Sequence, residues 1–167
     1  FYPFLKVFGR FFFFFFKEAD TVTHYIHIVP ASEEELALEA LTREAKEFID
    51  QTLYSLLESF DEANLQDRKE PAYYYDKLHT EKYEHIKHLH GEIHAYYRQL
   101  NKDSLTANEI ERAEQLVSCV RNCMFAAKSM NDSLKDISQF RNSANDTKYQ
   151  MYVEARHQVR RYCNQVM

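Results

Sequence analysis

Two aspartates, Asp132 and Asp136, stand one helical turn apart within TANEIERAEQLVSCVRNCMFAAKSMNDSLKDISQFR, residues 106–141. In that stretch Ala113, Leu116, Val120, Cys123, Ala127, Met130, Leu134 and Ile137 recur at steps of three and four. Such steps place them in one apolar stripe of a helix. The aspartates fall near the opposite face. When both are ionised they repel by roughly 0.2–0.5 kcal/mol. A hard cation would remove that cost and take both carboxylates as oxygen ligands. The plainer reading is a solvated acidic face moderated by Lys128 and Lys135.

Histidine is the second residue type that could do chemistry. Eight are present, and five of them (His79, His85, His88, His90 and His94) fall in one predicted helix. His90 and His94 are a turn apart, a spacing that can chelate a metal. They lie at the flank of the Leu78–Ile86–Ile93 stripe and should be partly exposed. A carboxylate-bridged di-iron bundle would need E-x-x-H signatures pointing inward. Asp76-Lys-Leu-His79 and Glu154-Ala-Arg-His157 have the spacing, but their carboxylates fall opposite the apolar stripes and should face water. Cys119 and Cys123 lie four apart, and Cys123 in the stripe reads as a small buried hydrophobe. No GxSxG, P-loop, GxGxxG or CxxC occurs, so the sequence points to no catalytic residues.

The elements that position these groups are long helices. Two glycines and three prolines in 167 residues leave few turns, and this length suits one domain with a single core. The spacing predicts an all-α antiparallel bundle of about four helices near 32–63, 71–101, 106–141 and 145–166. Start signals support these bounds. They are capping boxes at Ser32/Glu35 and Thr106/Glu109, Pro71 in a first turn, and Ser143/Asp146. Leu41, Phe48, Ile86, Ile93, Val120, Ala127, Leu134 and Val159 are the expected core.

The beginning of the chain is different. FYPFLKVFGRFFFFFF has nine phenylalanines in sixteen positions, interrupted by Lys6, Gly9 and Arg10. It is too short to span a bilayer, which needs about 20 apolar residues. Aromatics with scattered bases suit the membrane–water interface. Residues 1–30 are therefore expected to form a juxtamembrane linker ahead of a bundle over 31–167, the opening Phe suggesting that more chain precedes it. Charge is uneven: residues 17–70 carry 14 acids against 5 bases, a net −9 within an overall −5. No clustered basic footprint for nucleic acid results. Three cysteines form no disulfide framework and suit a reducing compartment.

The stretches EHIKHLHGEIHAYYRQL (Glu84–Leu100) and VRNCMFAAKSMNDSLKD (Val120–Asp136), with Ser143-Ala-Asn-Asp146 and Thr23-His-Tyr-Ile26, resemble the PhoU-like domain. They are most similar to the cytoplasmic C-terminal domain of bacterial sodium–phosphate cotransporters. The likeness runs over about residues 20–167. It implies a non-enzymatic regulatory domain on the cytoplasmic face of the inner membrane. Its partners would be the transmembrane domain of the same polypeptide and, through residues 1–16, the membrane interface. Homo-oligomerisation is left open, and no nucleic acid is expected. PhoU proteins bind metal through E/D-x-x-x-D motifs, which Asp132 and Asp136 match. The completing acids align with Lys87 and Lys128, so the resemblance implies only a weak divalent or ferric cation site. His90 and His94 are the less favoured metal pair. The alternatives are a stand-alone PhoU-like phosphate-signalling regulator and a metal-dependent helical-bundle enzyme.

Overall fold

The computed structural model describes residues 22–60 and 72–167, without the side chains of residues 34–35 and 72–78. The aromatic stretch 1–16 and the side chain of Asp76 lie outside what is described. Four helices follow in order: α1 Glu34–Glu58, α2 Ala72–Gln99, α3 Ala107–Arg141 and α4 Asp146–Val166, with a 3-10 turn at Lys102–Ser104 before α3. The expected all-α bundle is therefore present, and the described residues contain no strand.

Helix ends show which local signals act. Thr106 and Glu109 form the expected capping box: the Glu109 N–H donates to Thr106 Oγ1 at 3.3 Å, and the Thr106 N–H donates to Glu109 Oε2 at 2.8 Å. The first helix departs from expectation at both ends. Its N-cap is Glu33, which makes no side-chain capping bond, and its last helical residue is Glu58 rather than 63. The last helix is capped by Asn145, whose Oδ1 accepts from the Lys148 N–H at 3.1 Å; Ser143 and Asp146 flank this cap without forming it.

Cross-helix contacts fix the packing. Phe48 of α1 meets His90 of α2, their ring centres 6.1 Å apart, and Glu58 pairs with Lys82. These helices therefore run antiparallel. Phe60, just past α1, stacks on Tyr152 of α4 and accepts its hydroxyl at 3.2 Å. The continuous core lies among α1, α2 and α3, around Leu41, Phe48, Ile86, Leu89, Ile93 and Val120.

Two expected core residues differ. Leu134 and Val159 are only half-buried, unlike the other six. For Val159 the reason is that α4 covers the bundle lightly: only Tyr152 and Cys163 on it are buried, and Met151, Tyr162 and Val166 are exposed. Leu134 instead faces the α1–α2 side, beside Leu56, His79, Tyr83 and Ile86. An apolar groove of about 550 Å3 remains between α3 and α4, lined by residues including Met130, Ile137, Phe140 and Val159.

Residues 22–30, assigned to the linker on sequence, pack on the bundle. Ile26 belongs to the core, and Val22, Tyr25 and Val29 pack against it.

Candidate functional site

Two of the α2 histidines carry enclosed polar atoms without a partner among the described residues. His90 and His94 project from one face, with ring centres 4.4 Å apart and ring planes at 56°. Phe48 approaches His90 from α1. Both residues are half-buried. Their Nε2 atoms are enclosed and meet no hydrogen-bond partner among the described residues. An enclosed polar atom left unpaired costs about 1–3 kcal/mol, so this pair is an expensive feature unless something engages it.

The surroundings hold both imidazoles neutral. Burial lowers the pKa of His90 most, followed by His94 and Arg121. For His94 burial again comes first, then Arg121 and Arg98. Arg121 reaches the pair from α3, Arg98 belongs to α2, and α1 contributes the uncharged Phe48. The folded chain thus binds protons at this pair less readily than the unfolded chain, whose histidines titrate near 6.5. Between the lowered folded value and 6.5 the unfolded state holds more protons, so stability rises with pH across that window. The contribution is complete above 6.5 and is lost as pH falls through the folded value. The urea midpoint is accordingly expected to drop on acidification below pH 6.5, and less so in His90→Gln/His94→Gln. Parallel pH profiles for the two chains would show that the pair does not control this loss.

The carboxylate pair is placed differently. Asp132 and Asp136 are both exposed. Lys128 donates to Asp132 Oδ2 at 2.7 Å, with both side chains more than half exposed. Asp132 raises the Lys128 pKa, chiefly through this hydrogen bond. A cation at Asp132 would have to displace the Lys128 ammonium. Asp136 lies along the apolar α3–α4 groove. Lys87 reaches Glu84 at 3.2 Å. Among the described residues no three His, Cys, Asp or Glu side chains converge.

The remaining groups are quickly placed. Glu154 is exposed and accepts from Gln158 at 2.6 Å, so it does not face the core. His79 is buried, and His157 is exposed. All three cysteines are free. Burial pushes the Cys123 thiol up to about 11, with Cys119 alongside adding to the shift. That environment suppresses the thiolate a nucleophile needs.

One site was missed on sequence. Glu44 is fully buried. Its carboxylate accepts from three consecutive backbone N–H groups: His24 at 3.1 and 3.0 Å, Tyr25 at 2.6 Å and Ile26 at 3.1 Å. Tyr96 of α2 reinforces this clamp by donating its hydroxyl to the Val29 carbonyl at 2.9 Å. Burial, then the charge of Glu33, raises the Tyr96 pKa. Residues 22–29 are thereby fastened to α1 and α2. The available signal was phase: Glu44 occupies the stripe of Ala37, Leu41 and Phe48, where a charge must find partners.

Comparison with protein-family models, with curated proteins and with solved structures returned no match.

Proposed function

We propose that this chain is the cytoplasmic regulatory domain of a sodium-dependent phosphate transporter, acting through contacts with the membrane domain of the same polypeptide. The PhoU-like pattern in α2 and α3 suggests this reading. The observation that best supports it is the clamp on residues 22–29. A buried carboxylate holding three backbone N–H groups makes the segment leading to the aromatic stretch a rigid extension of the bundle. A change in the packing of α1 and α2 would then move that segment as a unit instead of being absorbed by a slack linker. Regulation of an attached membrane domain needs such a coupling. None of the described helices is long and apolar enough to cross a membrane, so transport itself would belong to other parts of the polypeptide.

The test is phosphate uptake in cells whose gene lacks the codons for residues 34–167. Sodium-dependent uptake is expected to persist but to lose its normal response to external phosphate. Uptake and response identical to those of the parent cells would overturn the proposal.

A further inference from the structure

His90 and His94 offer two imidazole nitrogens from adjacent turns of α2, and both atoms lack a partner among the described residues. We propose that they form a two-nitrogen site for a borderline transition-metal cation, such as Zn2+ or Ni2+, whose entry displaces the side chains enclosing the nitrogens so that water completes its coordination. This inference does not depend on the transporter reading.

Three observations converge on the pair. First, the one-turn spacing is the one by which a single helix presents two histidines to zinc. The ring centres, 4.4 Å apart, show that the two imidazoles lie side by side. Second, both nitrogens are enclosed yet unpaired, so a cation would engage atoms that otherwise have no bonding role. Third, the donor chemistry selects the metal. Imidazole suits Zn2+, Ni2+ and copper, whereas Mg2+ and Ca2+ prefer oxygen. The neighbouring Arg121 charge opposes a cation held by electrostatics alone and leaves nitrogen donation as the binding force. Neutral imidazole is the metal-binding form, and burial with Arg121 already favours it in both residues.

The site differs in chemistry from the Asp132/Asp136 pair and from a hydrolytic zinc motif. In the H-E-x-x-H arrangement the second residue is the general base; here it is Gly91. Glu92 is turned to His88 at 3.5 Å, with its side chain half exposed. The pair therefore binds a cation without supplying a base for water activation.

The experiment is titration of the full chain with Zn2+ and Ni2+ under reducing conditions, followed by calorimetry and by imidazole nitrogen resonances. One equivalent is expected to bind and to shift the Nε2 signals of His90 and His94. His90→Gln and His94→Gln should each weaken binding roughly tenfold or more, since one of two protein donors is lost. His85→Gln/His88→Gln, which alters exposed histidines of the same helix, should leave affinity unchanged. Absence of binding, or affinity retained in His90→Gln/His94→Gln, would overturn the proposal. If those variants fail to fold, the wild-type resonances decide: shifts confined to cysteines or to other histidines would equally overturn it.

Discussion

Glu44→Ala is expected to destabilise the bundle by about 3–5 kcal/mol, because several hydrogen bonds to a charged acceptor, each worth roughly 1.5–3 kcal/mol, are lost together. The effects will not add in full, since solvent can reach part of the released segment. His24, Tyr25 and Ile26 would lose the acceptor of their N–H groups. Ile26 would lose its anchor in the core. Glu44→Gln should fall between wild type and Ala: it keeps one carbonyl acceptor but turns an amide donor toward donors. Urea denaturation followed by far-ultraviolet circular dichroism gives the magnitude. Amide exchange gives the location, and residues 24–26 should lose protection before α2 and α3 do. A cost below about 1 kcal/mol, the worth of an ordinary hydrogen bond, would show that the clamp does not hold the segment.

Ile93→Ala should cost about 3–4 kcal/mol, within the range for fully buried aliphatic truncations. Ile93 is fully enclosed in the three-helix core. Leu134→Ala should cost only about 1 kcal/mol, because a half-buried side chain surrenders less apolar area and opens no closed cavity. Sequence spacing ranks the two residues equally, so their difference isolates the contribution of packing. Equal denaturation midpoints in the two variants would overturn the ranking and mean that Leu134 carries as much packing as Ile93.

Short-range relations were legible from the sequence. Sparse Gly and Pro with three–four spacing determine helices, because both act through the backbone within a few turns. The Thr106/Glu109 box was readable because both of its bonds span three residues. The same holds for the moderation of Asp132 by Lys128, an i,i+4 pair. Ser32/Glu35 shows the limit: a capping pattern offers a start, yet the N-cap is Glu33, one residue further on.

Only the tertiary structure decided what depends on distant chain. The acceptor role of Glu44 arises from N–H groups 18–20 residues upstream, whose donors are freed by an irregular segment that no periodicity describes. The half-burial of Val159 follows from how lightly α4 covers the bundle, and that of Leu134 from how α1 and α2 meet it, neither of which their own spacing can encode. The one-turn spacing of His90 and His94 was plain in the sequence; their enclosure was not. Phe48 arrives from α1 against His90, and the neutrality of both rings follows first from burial and then from neighbouring charges that include Arg121 of α3. Helical periodicity says which side chains share a face. Burial and charge state depend on what covers that face, and here the cover comes from other helices.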